Sequence, residues 1–403
     1  MSKRRLTGKR AVWFGLLGTP VLLVAAITLI GVTAGSAGPS TPALQAGSTL
    51  SADGVTVSHV TALGSGQQTL AELQAYWTPE RMANAKPYPM ESSSAASSAD
   101  GSVESIPQSS ASLKGLWQRP DGSVQVTDLS QPNSAGALTE PFHGAVPYTQ
   151  WQWFGRYLRN VPAGSPNLAI SAVHKMFFTQ NGSNFVCSSS TIGVDGAWTA
   201  GHCVSDGSNT FSTNVLVCPS YDNGINPTAG CWGADLLWTL TAWHTTGNLD
   251  EDMGGIDTSD TGTVNATQIG NFTGALGFGA CFTNAACNVN GNWLAMGYPA
   301  AAPFGGGKIE TCASSLGYDD DAVAGGLASW AIGCDMTGGS SGGPWIYGFG
   351  RNGGQPGGAA LNFVVGHNDW RHTAIVNELN SPQFNCRAIV MYNSINGTAI
   401  ACP

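Results

Sequence analysis

With charged residues at 10% against 42% apolar, and 54 glycines in 403 positions, the chain suits a turn-rich all-β protein better than a helical bundle. Its formal net charge of −9, with five of the 16 basic residues in the first ten positions, excludes nucleic acid as a partner. The length allows one large domain or two ordinary ones.

Residues 1–37 read as a signal peptide. A basic start (Lys3, Arg4, Arg5, Lys9, Arg10) precedes an apolar run from Ala11 to about Ala34, and small residues near Val32–Ala37 suit cleavage. The alternative is retention as a membrane anchor, because the run is long for a signal core. The expectation is a secreted protein, off the membrane once the signal is cleaved. Residues 38–165 form a low-complexity region of Ser, Ala, Gly, Gln and Pro, read as a partly disordered pro-region too poor in apolar residues to order itself. Two denser islands interrupt it. Leu70–Ala85 contains a helix start, with Thr78 as cap and Pro79 at the first helical position. The second island, Val146–Val161, is rich in aromatic residues and would plug or strap the following domain; Arg156 and Arg159 there are candidate processing sites.

The texture changes near Leu168. Ala172–Thr179 and Asn184–Ile192 read as strands joined by an Asn-Gly turn, and Ala197–Ala200 as a third strand after the turn at Val194–Gly196. Asn377–Asn380 is read as the close of a short helix begun near His372. Turn-punctuated strands to the end predict two packed six-stranded antiparallel β-barrels over residues 166–403. All ten cysteines lie between Cys187 and Cys402. An even count in an exported chain argues for disulfides, and without Cys-x-x-Cys or a histidine cluster no metal or other cofactor is expected. Pairing neighbours in order would give 187–203, 218–231, 281–287, 312–334 and 386–402, but the sequence leaves connectivity open.

The chemistry concentrates in Cys334–Trp345, Cys-Asp-Met-Thr-Gly-Gly-Ser-Ser-Gly-Gly-Pro-Trp. Small residues around a serine leave its hydroxyl exposed and let backbone N–H groups face an attacked carbonyl. Gly339–Pro344 resembles the Gly-Asp-Ser-Gly-Gly-Pro signature of chymotrypsin-like serine proteases, and Thr199-Ala200-Gly201-His202-Cys203 resembles their Thr-Ala-Ala-His-Cys motif. The resemblance covers roughly residues 170–403. It implies Ser341 as nucleophile, His202 as general base, and the N–H groups of Gly339 and Ser341 as the oxyanion hole. It also implies a Cys187–Cys203 disulfide. Asp252, before Met253-Gly254, best fits the family's aspartate, 50 residues after His202 and 89 before Ser341; Asp250 is the alternative, with Asp257 and Asp260 read as solvated turn residues. One departure is Ser340, where the family carries an aspartate used in trypsin-type zymogen activation. Latency is therefore expected to come from the pro-region covering the cleft.

Substrate contacts are expected from Asp335, Thr337, Val365, Gly366 and His367. Asp335 sits where trypsin-like members carry the carboxylate that selects Lys or Arg. Asp335-Met336-Thr337 also resembles the Asp-x-Thr of glutamyl endopeptidases, whose later-strand histidine His367 would supply. The pro-region stretch Tyr76–Met82 looks like one in secreted bacterial serine peptidases. These resemblances imply a monomeric secreted endopeptidase of the glutamyl-endopeptidase-like branch, acting on proteins or peptides. Two alternatives stand beside it. One is an inactive binding or adhesion module on the same fold. The other is an α/β-hydrolase-type esterase, against which stands the order of residues: only His367 and His372 follow the serine, with Asp369 too close to His372 to act independently.

Overall fold

The predicted Asn-Gly turn forms. Asn181 and Gly182 take φ of 49° and 74°, joining strand β1, Val173–Gln180, to β2, Ser183–Thr191, in an antiparallel hairpin. The computed structural model describes residues 46–50, 54–62, 68–93, 113–118, 123–129, 155–158, 168–281, 292–319, 328–349, 362–373 and 377–402, and residues 42–403 make up one compact unit. The proposed signal peptide lies outside the described residues, as does most of the Val146–Val161 island. Of that island, Gly155–Leu158 forms a strand, which carries Arg156 opposite Cys312.

Four further strands complete the first barrel: β3, Gly196–Ala200; β4, Thr213–Pro219; β5, Trp232–Leu240; and β6, Met253–Thr258. Each pairs antiparallel with the next around a ring, β1–β2–β3–β6–β5–β4 and back to β1, so the sheet closes. Met176, Phe178, Val217, Trp232, Leu237 and Ile256 fill it. The second set comprises β7, Asn292–Gly297; β8, Glu310–Asp319; β9, Ser329–Gly333; β10, Pro344–Tyr347; β11, Phe363–His367; and β12, Glu378–Pro382. These pair antiparallel in the order β12–β9–β8–β7–β10–β11. The two ends meet through the His367 N–H donated to Ser381 Oγ at 2.9 Å, not through a ladder.

One expectation needs correction. No helix ends at Asn377–Asn380. Instead the short strand Trp370–His372 pairs with β12 at Asn380, and the helix lies later, at Cys386–Asn396, capped by Asn385 and packed by Ile389, Met391, Tyr392 and Ile395. Within residues 38–165, the described segments form strands and short helices. Thr56–Thr61 adds a strand to the outer side of β5, burying Val57 and Val60. Leu113–Gln118 and Val124–Asp128 form a hairpin on the strand Gly277–Cys281. The predicted cap is present: Thr78 accepts the Arg81 N–H, and Pro79 opens the helix Pro79–Asn84. This segment does not order itself alone. Leu73, Trp77 and Met82 bury against Phe177, Val186, Leu216 and the Cys218–Cys231 disulfide of the first barrel.

Disulfides join Cys187 to Cys203, Cys218 to Cys231, Cys312 to Cys334 and Cys386 to Cys402. Cys281 is also disulfide-bonded; Cys287, its neighbour in sequence order, lies outside the described residues.

Candidate active site

Strand pairing brings the histidine and its aspartate together. β3 and β6 run antiparallel with Ala200 opposite Met253, so the residues just past these ends, His202 and Asp252, lie side by side. His202 sits in the short helix Gly201–Val204; Asp252 closes the 3₁₀ turn Leu249–Glu251. Asp252 grips the histidine twice: Oδ1 accepts the His202 main-chain N–H at 2.7 Å, and Oδ2 accepts from ring Nδ1 at 2.8 Å. Gly201, where the family motif has alanine, is explained here. A Cβ at that position would lie 2.7 Å from Asp252 Oδ1 and 2.8 Å from the Trp243 ring. Burial alone would disfavour a charged His202 ring, but the charge and hydrogen bond of Asp252 carry its pKa well above the ordinary histidine value. The alternative acid, Asp250, instead accepts the Ala328 N–H at 2.6 Å. Asp257 is no solvated turn residue, since it lies within β6.

Ser341 lies in the turn leading into β10. Its carbonyl accepts the Ser188 N–H at 2.7 Å, and Ser188 adjoins Cys187, which is bridged to Cys203 beside the histidine. Gly342 has φ of 79°, and a Cβ there would sit 2.1 Å from Thr199 Oγ1, so this turn admits only glycine. The Gly338 carbonyl accepts the N–H groups of Ala300 and Ala301. In a trans peptide C=O and N–H point oppositely, so the Gly339 N–H is directed away from those groups. Ser341 Oγ and His202 Nε2 are both buried, and neither has a hydrogen-bond partner among the described residues. Ser340 turns its hydroxyl back to the Thr337 carbonyl, a local bond in place of any ion pair.

The expected substrate residues divide. Asp335 and Thr337 stay beside the serine loop; Thr337 donates to the Ala301 carbonyl, and the Glu378 and Asp335 charges act on the half-buried Arg371 guanidinium, which donates to the Met336 carbonyl at 2.6 Å. Val365 and Gly366 are buried, against Gly279 and against Trp345 with Ser381 respectively. His367 does not match the expectation of a substrate-receiving histidine. Its Nδ1 accepts from Trp198 Nε1 and its Nε2 donates to the Asp252 carbonyl, so both ring nitrogens are committed between the barrels. Burial holds its pKa down to about 4.

Sequence reading missed three features. Asn368 staples the serine loop, donating to the Met296 and Ser340 carbonyls and accepting from Trp345 Nε1. Asp369 is fully buried, with Oδ1 3.3 Å from the same His202 nitrogen that Asp252 holds. A segment that precedes the first barrel also crosses the site. Lys86 and Pro87 pair parallel with β2, and Glu91–Ser93 pair parallel with Trp370–His372. Between them the Tyr88 ring stacks on His202 at 5.1 Å and 18°, and its hydroxyl donates to Gln180 Oε1. The Tyr88 carbonyl is so close to Gly338 that a Cβ there would lie 2.3 Å from it.

The contact of His174 with Ser189 is of another kind. His174 meets Ser189 Oγ at 3.4 Å and Thr191 Oγ1 at 2.9 Å, is fully buried, and is held by that burial down to about pKa 3. Hydroxyls satisfy both its nitrogens, while Asp252 gives both its oxygens to His202; this is a core histidine. Of the three groupings of metal-ligating residue types among the described residues, two contain disulfide sulfurs, which offer no thiolate. The third is His202, Asp252 and Asp369, whose ring nitrogen donates to Asp252.

No protein-family profile and no curated protein matches the chain. Among solved structures it is similar to a thermostable serine protease, AL20, from an extremophilic microorganism, at 29% identity over 58% of this chain and 100% of that one, with a TM-score of 0.48. It is similar also to the protease Anisep from Arthrobacter nicotinovorans, at 28% identity over 57% of this chain and 97% of that one, TM-score 0.47. A Glu endopeptidase solved in complex with MPD gives 18% identity over 60% and 97%, TM-score 0.44. The fold is chymotrypsin-like. That assignment stands on the closed first barrel, the second antiparallel sheet curled beside it, and a histidine and a serine loop contributed one from each.

Proposed function

We propose that the protein is an exported serine endopeptidase that hydrolyses peptide bonds through an acyl-enzyme. His202 takes the Ser341 proton as the oxygen attacks the peptide carbonyl, then gives it to the leaving amine. Asp252 holds the ring in the tautomer with its proton on Nδ1 and stabilises the imidazolium, while the Gly339 and Ser341 N–H groups stabilise the tetrahedral oxyanion. The single observation that carries this reading is the doubly hydrogen-bonded His202–Asp252 pair, beside a serine loop tied to the same disulfide and a serine oxygen that serves no structural bond. A binding module has no use for such a pair with an uncommitted hydroxyl.

Export is supported by the disulfides, the state of an oxidising compartment. Among the described residues no helix is long and apolar enough to cross a membrane. Latency comes from the strap of residues 86–93, which stacks on the general base and takes up backbone edges on both barrels. The test is mass-spectrometric mapping of cuts made in a denatured proteome by the chain recovered from culture medium. The parent is expected to generate new termini with a defined residue preference, and Ser341→Ala to lose about 10⁶-fold in rate. Equal cutting by the two proteins would sink the reading; ester hydrolysis without peptide cuts would favour an esterase.

A further inference from the structure

Two carboxylates converge on one imidazole nitrogen. Asp252 Oδ2 is 2.8 Å from His202 Nδ1 and Asp369 Oδ1 is 3.3 Å from it, with all three side chains fully buried. That nitrogen carries one hydrogen, and it points to Asp252, whose other oxygen already accepts the His202 main-chain N–H. Asp369 therefore receives nothing: neither of its oxygens has a hydrogen-bond partner among the described residues. Its main-chain N–H is fixed by the Asn380 carbonyl, so the side chain is not aimed inward by accident of a loose loop.

An ionised carboxylate in that setting would be buried without a donor and next to a second negative charge, a combination costing several kcal/mol. Proton uptake removes both costs and creates a donor beside Asp252, whose Oδ2 and Asp369 Oδ1 both approach His202 Nδ1, at 2.8 and 3.3 Å. Burial first, and then the Asp252 charge, drive Asp369 in that direction, well above the usual carboxylate range, against the opposing pull of the His202 ring. The other titratable groups nearby do not supply a compensating charge. His367 Nε2 is 3.9 Å from Asp369 Oδ2 but donates to the Asp252 carbonyl, and burial keeps that ring neutral. On β12, Glu378 is engaged by His372 and Asn380; on the strap, burial raises Glu91, and burial pushes the Tyr88 hydroxyl upward too.

We propose that Asp369 is a fourth, positioning member of the site, a neutral carboxylic acid whose O–H is donated to Asp252 and fixes the acceptor of the His202 ring. It never touches substrate; it acts through Asp252. The inference rests on the serine-endopeptidase reading for its catalytic consequence, but the protonation it asserts does not.

The experiment compares Asp369→Asn and Asp369→Ala with the parent, each as the full chain collected from the medium, by kcat, KM and the pH profile of kcat/KM. Asparagine keeps a neutral donor, so it should stay within about threefold of the parent, with the acid limb unmoved. Alanine removes the donor and should lower kcat by roughly 10- to 100-fold with KM unchanged, the worth of one buried hydrogen bond. A drop of about a unit in the acid limb of Asp369→Asn would overturn the proposal, for Asp369 would then be an ionised partner of His202. Parental activity in the alanine variant, or equal loss in both variants, would overturn it too. If alanine fails to fold, the asparagine limb still decides. Should even the parent show no Ser341-dependent activity, the proposed function fails, and the proposal is read by NMR titration of the His202 ring. An unchanged midpoint in Asp369→Asn supports it; a downward shift defeats it.

Discussion

Asp252 accepts two hydrogen bonds from one histidine, and each constrains a different thing: the main-chain bond fixes where the residue stands, the ring bond fixes which nitrogen bears the proton. Asp252→Asn keeps one oxygen but turns an NH₂ toward the other donor, favouring the wrong tautomer, so kcat should fall about 10⁴-fold. The residual activity should also change its pH dependence. Activity requires neutral His202, and the Asp252 charge is the foremost of the influences raising that ring's pKa against burial. Removing the charge lowers the pKa, so the acid limb of kcat/KM should move to lower pH; a limb that stays put would mean Asp252 does not stabilise the imidazolium. His202 and Ser341 were legible because runs of small residues beside a reactive side chain are hard to explain otherwise, and Asp252 because a strand of apolar and small residues follows it. Asp369 was not. In sequence it is one acid in Asn-Asp-Trp-Arg-His, close to His372, and only the pairing of the short strand at Trp370 with β12 reveals that it faces the other barrel.

At the scale of elements, the strap is the feature that composition concealed. Residues 86–93 have no apolar period to read, and they pair with segments about a hundred and nearly three hundred positions away, which no local pattern reports. What was legible is the anchor before it: Thr78 and Pro79 mark a helix whose Met82, with Trp77, grips the first barrel and delivers the chain to the cleft. Both strap ladders are parallel, the slightly weaker arrangement, so they can yield to a peptide that docks antiparallel. Tyr88 is the main side-chain lock, through its ring on His202 and its hydroxyl on Gln180. Losing a stacked ring and one hydrogen bond is worth about 2 kcal/mol, or roughly a 30-fold rise in the open fraction. Tyr88→Ala should therefore hydrolyse a small peptide ester that much faster than the parent while both chains still carry residues 86–93, as verified by intact mass. Glu80→Gln, on the outward surface of the anchoring helix, is the control. Equal rates for Tyr88→Ala and the parent would remove the strap from the account of latency.

For the whole molecule, the turn-punctuated strands announced the architecture, but not how the two halves are joined. The joint sets polar contacts within apolar packing: His367 of the second sheet accepts from Trp198 of the first barrel and donates to the Asp252 carbonyl, while Phe278 and Phe384 pack on the same tryptophan. Within the first barrel His174 is likewise fully enclosed between β1 and β2. Burial holds His174 to about pKa 3 and His367 to about 4, against 6.5 for an ordinary histidine. A depressed histidine pKa means the unfolded chain binds more protons below pH 6.5, so stability from these groups is full above that pH and is lost as pH falls toward their folded values. Between pH 6.5 and 4.5 each should withdraw about 2–3 kcal/mol. His202 and Asp369, whose pKa values are raised, push the other way, which is why the measurement is a comparison and not a single curve. His174→Gln keeps a polar side chain but cannot titrate. Its unfolding free energy should start lower at pH 7 and decline less on acidification, narrowing the gap to the parent by about 2–3 kcal/mol at pH 4.5 in urea titrations. A gap that stays constant with pH would mean His174 is protonated in the folded barrel, and that the acid sensitivity of this fold lies elsewhere.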